Sequence, residues 1–170
     1  MILESILAYD NIVIQCHDDP DADAVASGYA LLKYLDSKGK TSRLVYGGKR
    51  QIGKRSLLLM IEKLGIPLKY LPIPEGEAEL LVTVDCRAGQ RNVSPMPCRT
   101  LAVIDHHELA PGEILPALHE VRTDCGACVS LVWTLLTQAG FPVENRLLFT
   151  ALYYGLYMDT QKFKGAEKLD

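Results

Sequence analysis

His17, Asp21 and Asp23 fall within HDDPDADA (His17–Ala24), directly after the apolar run NIVIQC. Other apolar runs finish the same way. ELLVTV leads into Asp85, TLAVI into Asp105, His106 and His107, and the last helical stretch into Asp159 within GLYMDTQKF. Imidazole with several carboxylates and no thiolate suits Mn²⁺, Mg²⁺, Co²⁺ or Fe²⁺ better than structural zinc. So many converging carboxylates would repel one another unless divalent cations neutralised them. Two cations about 3.5–4 Å apart, sharing one carboxylate, form the usual clamp for displacement at phosphorus. One activates the attacking water, and the pair offsets charge on the phosphoryl oxygens. The residues by themselves suggest a two-metal hydrolase.

Rigid elements must hold these groups. The spacing predicts strands at Asn11–Cys16, SRLVY, LKYL, Glu79–Asp85 and Thr100–Asp105, with ALHEVR as a further candidate. The two runs ELLVTVD and TLAVID are apolar throughout, as strands covered on both faces of a parallel sheet require. Helices are expected over Ala24–Leu35, closed by KGK, over SLLLMIEKLG with Gly65 as its stop, and over 127–138 and 143–157 around the breaker AGFP. This alternation predicts an α/β fold, a mostly parallel sheet of about five strands with helices on both faces. Ligands in such sheets sit at the carboxyl ends of the strands, where the acids and imidazoles fall. Asp21 and Asp23 are expected in an irregular loop whose approach Pro20 stiffens.

HDDPDADA, VDCR, IDHHE and YMDTQKF together resemble the four ordered motifs of the DHH phosphoesterases, over Asn11 to Phe163. The resemblance implies one manganese on His17, Asp21 and Asp85 and a second on Asp23, Asp85, His106 and Asp159, with Asp85 the bridge. It places His107 against the substrate phosphate and Asp105 behind the histidines, as ligating imidazoles need an orienting acceptor. Arg91 stands where many relatives carry an arginine near the metals, and is the candidate phosphate contact. The implied activity is hydrolysis of phosphodiester or phosphomonoester bonds in nucleotides or short oligonucleotides. Inorganic pyrophosphatase, single-strand exonuclease and a non-catalytic nucleotide- or nucleic-acid-binding module are the rival readings. The family usually carries a second, C-terminal domain, whereas residues 1–170 hold the DHH domain alone, ending eleven residues after Asp159. The expected partners are the nucleotide or oligonucleotide substrate, a downstream domain of a parent protein, and a second copy in a homodimer.

Composition sets outer bounds. The 170 residues are 48% hydrophobic and 23% charged, which is ordinary for one globular domain. A net charge of −3 argues against a globally basic nucleic-acid binder. No apolar run is long enough to span a bilayer, and the start, MILESILAYD, lacks the basic lead of a signal peptide. Five scattered cysteines suggest reduced thiols and a cytoplasmic location. Cys125-x-x-Cys128 reads as small residues near a helix start rather than a metal pair. Asp18 and Asp19 read as bystanders, His119 as structural, and Tyr153, Tyr154 and Tyr157 as helix-packing residues. The basic loop Gly47–Arg55, with Lys49, Arg50, Lys54 and Arg55, lacks Walker spacing and reads as a solvated face, with contact to substrate phosphates as the alternative.

Overall fold

The computed structural model describes residues 1–170. Six strands, β1 (Ile12–Cys16), β2 (Ser42–Tyr46), β3 (Leu68–Tyr70), β4 (Ala78–Val84), β5 (Cys98–Asp105) and β6 (Leu118–Val121), form one sheet in the order β3-β2-β1-β4-β5-β6. Every neighbouring pair is parallel. The fold is therefore α/β, as expected, with six strands where about five were counted. The sixth is β6, the ALHEVR segment.

The strand order reverses between β1 and β4, which pair directly from Ile12↔Leu80 to Gln15↔Thr83. Chain leaving β1 turns one way and chain leaving β4 turns the other, so a crevice opens between their carboxyl ends. His17 and Asp85 are the first residues past those two ends.

Five helices accompany the sheet: α1 (Ile2–Ile6), α2 (Ala22–Ser37), α3 (Arg55–Leu64), α4 (Cys128–Gln138) and α5 (Arg146–Asp159). Their buried apolar residues all join one large cluster with Ile12, Ile14, Leu80, Val82 and Ile104 of the strands. A small second cluster, Val13, Val45, Ala78 and Leu81, is closed by Leu71 and Met96 from connecting segments. Helical cover on the second face, as expected from sequence, is here replaced by loop. Gln15 shows how: its Nε2 donates to the Ser94 carbonyl at 2.6 Å, tying that loop across the strand.

Two helix boundaries bear on the site. Asp21 caps α2, its Oδ1 accepting from the backbone N–H of Asp23 at 2.9 Å and Ala24 at 3.0 Å. An aspartate cap satisfies helix donors that would otherwise be orphaned, and a second acid in the first turn suits the helix dipole. The helix therefore starts at Ala22, and Asp23 lies within its first turn rather than in an irregular loop. At the far end, α5 runs through Asp159 instead of stopping near Tyr157. Gly65, in the left-handed region at φ 62°, ends α3 as the sequence suggested.

Gly155 sets how closely α5 approaches its neighbours. A Cβ there would lie 3.0 Å from Val129 Cγ1 and 3.2 Å from both the Ala22 carbonyl oxygen and Ala26 Cβ. One turn later comes Asp159. The substitution Gly155→Val should overpack this crossing and destabilise the domain by roughly 1–3 kcal/mol. Urea unfolding monitored by circular dichroism would detect it; an unchanged midpoint would mean the helices part without strain.

Candidate metal centre

Three histidines approach the crevice with their ring nitrogens already assigned by neighbours. His17 Nδ1 lies 2.9 Å from the Asp18 carbonyl oxygen and His106 Nδ1 lies 3.1 Å from that of Cys125. A carbonyl can only accept, so each Nδ1 carries a proton and each neutral ring leaves its Nε2 lone pair facing the site. His107 Nδ1 is held at 2.8 Å by Asp105 Oδ1, which frees its Nε2 toward open space.

Carboxylates meet the two inward nitrogens. His17 Nε2 lies 4.0 Å from Asp21 Oδ2 and 3.9 Å from Asp85 Oδ2. His106 Nε2 lies 3.3 Å from Asp85 Oδ1, 3.6 Å from Asp159 Oδ2 and 4.0 Å from Asp23 Oδ2. Two ligand-like groups result, His17 with Asp21 and Asp85, and Asp23 with His106 and Asp159. Asp85 gives one oxygen to each. Asp85, His106 and His107 also lie near one another, but the His107 nitrogen in that grouping is already committed to Asp105.

Asp85 is 4% exposed, and its Oδ1 is buried without a hydrogen-bond partner, with His106 Nε2 its near neighbour at 3.3 Å. Its backbone sits in the left-handed region at φ 58°. An orphaned buried carboxylate oxygen is costly unless something outside the protein satisfies it. A divalent cation suits that oxygen in chemistry, as it does the imidazole Nε2 atoms aimed at it once deprotonated.

The electrostatics agree. Burial, then the neighbouring Asp159 and Asp21 charges, push the Asp23 carboxyl up to about 7. Burial and Asp23 likewise raise Asp85, and burial and Asp21 raise Asp159. Burial disfavours a charged His106, yet Asp85 and Asp23 overcome it and lift the imidazole to about 10.

Asp23 also has a structural task. Its Oδ2 accepts from Cys128 N at 2.6 Å and its Oδ1 from Val129 N at 2.8 Å, so it caps α4 from across the core. Small residues at 127–128 permit that approach, and Cys128 is fully buried. All five cysteines are free. Asp18 is no bystander: it accepts from Ser94 N at 3.1 Å and Ser94 Oγ at 2.9 Å. Tyr153 is 52% exposed and lies against Phe163, rather than packing in the core. His119 is exposed on β6.

Behind the histidines stands Arg87, to which sequence reasoning assigned no role. It is 4% exposed and pairs with Asp105, which is fully buried. It also donates to Glu113 Oε1 at 2.6 Å, the His107 carbonyl at 3.1 Å and the Glu108 carbonyl at 2.9 Å. Its guanidinium thus fixes the whole turn after β5. The arginine in VDCR was visible in sequence, but its partner Glu113 lies 26 residues on with no spacing to suggest it. Burial would raise the Asp105 carboxyl, but the His107 hydrogen bond with the His107 and Arg87 charges outweighs it and holds it below the ordinary value. Arg91 is exposed, forms no ion pair, and lines a cleft of about 710 Å³ together with His17, Asp21, Asp85, His107 and Asp159.

A parallel sheet with two carboxylate–imidazole groups sharing one aspartate at its switch point defines an α/β protein with a candidate site for divalent cations. Residues 11–156 match the DHH family, N-terminal domain, and the chain belongs to that family. It is 31% identical over 163 residues to the uncharacterized protein MJ1633 of Methanocaldococcus jannaschii, covering 94% of this chain and 32% of that protein. Two solved structures share the fold at 19% identity. An exopolyphosphatase-related protein from Bacteroides fragilis matches at TM-score 0.65 over 95% of this chain and 51% of its own. A putative family II inorganic pyrophosphatase of Methanococcus jannaschii matches at 0.69 over 93% and 52%. The chain thus spans about a third to a half of the length of these proteins. No helix is long and apolar enough to cross a membrane.

Removing Arg87 should strand a buried carboxylate. Arg87→Met is expected to cost about 3–5 kcal/mol in unfolding free energy, and pairing it with Asp105→Asn should return part of that loss. Equal losses in the single and double variants would refute the pairing. The raised groups give a second expectation. His106 must be neutral to ligate, so metal binding between pH 7 and 10 should release at least one proton, and more below pH 7, where Asp23 also gives one up. Apparent affinity therefore rises with pH toward 10. Calorimetry in buffers of different ionisation enthalpy would read the proton count; a pH-independent affinity would contradict it.

Proposed function

We propose that this domain is a divalent-cation-dependent phosphoester hydrolase acting on phosphodiester or phosphomonoester bonds of nucleotides or short oligonucleotides. The observation that carries the reading is Asp85, buried, with one oxygen toward each ligand group and no protein donor on Oδ1. His17, Asp21 and Asp85 would hold one cation; Asp23, Asp85, His106 and Asp159 would hold the other. Mn²⁺ suits this donor set first, with Mg²⁺ or Co²⁺ as substitutes. Bound cations would supply Lewis acidity, lowering the pKa of water and offsetting phosphoryl charge.

The chain's own groups do the rest. His107 extends Nε2 into the cleft, where it can hold a proton against a phosphoryl oxygen. Asp105 keeps that ring oriented, and Arg87 keeps Asp105 charged and in place. Arg91 offers an unpaired guanidinium for a non-bridging oxygen, since planar donor pairs match phosphate. Five free thiols support a cytoplasmic setting. The cleft is open on one side, and a second domain closing over it, together with homodimer formation, belongs to the same proposal.

Asp85→Asn keeps the side chain's size while removing its charge. It should reduce hydrolysis at least about a hundredfold and halve the bound metal from two cations toward one or none. Retained turnover would overturn the bridging assignment. Rates on pyrophosphate, a nucleoside 3′,5′-bisphosphate and a dinucleotide separate the substrate readings. The dinucleotide or bisphosphate should be preferred, and a dominant pyrophosphate rate would transfer the domain to the pyrophosphatase reading.

A further inference from the structure

Between Asp36 and Glu62 the chain holds seven basic residues and no acidic one, although its net charge is −3. Three of the seven, Lys49, Arg50 and Lys54, sit on the loop between β2 and α3, and Arg55 opens α3. That loop is not a free solvated face. Gly48 N donates to Ser94 Oγ at 2.9 Å, the Tyr70 hydroxyl donates to Gly48 O at 2.8 Å, and Ile52 N donates to the Tyr46 hydroxyl at 3.2 Å. Ser94 is in turn the residue gripped by Asp18 of the HDDPDADA loop.

The two loops approach so closely that only glycine fits. A Cβ on Gly48, which has φ +94°, would sit 3.0 Å from Asp18 Cβ, and one on Gly47 would sit 2.6 Å from Ser94 Cβ. The basic loop is thereby fixed against the metal loop. Between them lies a polar cavity of about 410 Å³, lined by Asp19, Asp21, Arg50, Gln51 and Lys54 among others. Asp21 also lines the larger cleft over the metal centre, so it forms a wall common to both.

The cations are available. Lys49, Lys54 and Arg55 form no ion pair, and the one contact of Arg50, to Asp19 at 3.5 Å, is exposed at both ends and worth little. We propose that this cavity is a second anion subsite, which takes the phosphate neighbouring the scissile one in a substrate that carries at least two. The inference rests on the phosphoester hydrolase reading and narrows it: short oligonucleotides are favoured over esters with a single phosphate. Arg50 and Lys54 are the specificity-determining side chains, and the basic loop steers polyanions toward an otherwise acidic cleft.

The test compares wild type with Arg50→Ala/Lys54→Ala on a 5′-phosphorylated trinucleotide, tripolyphosphate and a single-phosphate diester, thymidine 5′-p-nitrophenyl phosphate. The ratio of kcat/KM for trinucleotide over diester should fall about tenfold or more in the double variant. Arg50→Lys/Lys54→Arg should restore it. An unchanged ratio would overturn the subsite. A loss confined to tripolyphosphate would also overturn the oligonucleotide assignment. Binding gives an independent readout: the anisotropy of a fluorescein-labelled trinucleotide in calcium buffer should show about tenfold weaker affinity and a shallower salt dependence. Weakened binding by a protein that hydrolyses none of the three would keep the subsite and reject the hydrolase reading. Equal binding by wild type and variant would reject the subsite whatever the activity.

Discussion

A carboxylate buried with an unsatisfied oxygen is the constraint around which this domain is arranged. Asp85 is 4% exposed, so solvent does not relieve it, and its Oδ1 makes no hydrogen bond, with His106 Nε2 at 3.3 Å. Its position follows from topology. The strand order reverses between β1 and β4, and Asp85 is the residue that leaves β4 at that crevice. Everything else at the site either faces Asp85 or supports a group that does.

The supports come from separate parts of the chain, which explains the geometry's rigidity. Asp21 both caps α2 and presents its second oxygen to His17. Asp23 caps α4 while facing His106. Helix ends are thus fixed by the same carboxylates that face the imidazoles, so the geometry of the site and the helix packing are mechanically linked. Arg87 performs the corresponding service on the β5 side, neutralising Asp105 and fastening the turn that carries His106 and His107. A buried arginine with several satisfied donors is a specifying contact more than a stabilising one.

Much of this was legible in sequence because the chemistry falls where apolar runs stop. ELLVTV and TLAVI announce buried strands, and the next residues, Asp85 and Asp105, inherit positions at the sheet's carboxyl edge. Periodicity located α3 and its glycine stop for the same reason: local chemistry decides both. What stayed hidden depended on distant partners. The Arg87–Glu113 pair, the cap that Asp23 provides to α4, and the grip of Asp18 on Ser94 each join segments with no shared pattern. The start of α2 lies two residues before the expected Ala24 because Asp21, a ligand by residue type, is also the helix cap. The loop cover on the second sheet face was equally invisible, since apolar strands indicate burial but not what buries them.

The proposed binuclear centre stands or falls with Asp85 as its bridge. A crystal of the manganese-soaked protein, with anomalous differences collected at the manganese edge, addresses it directly. Two peaks should flank Asp85, one in contact with its Oδ2, His17 and Asp21, the other with its Oδ1, Asp23, His106 and Asp159. A single peak, or two that leave Asp85 unligated, would contradict the bridge.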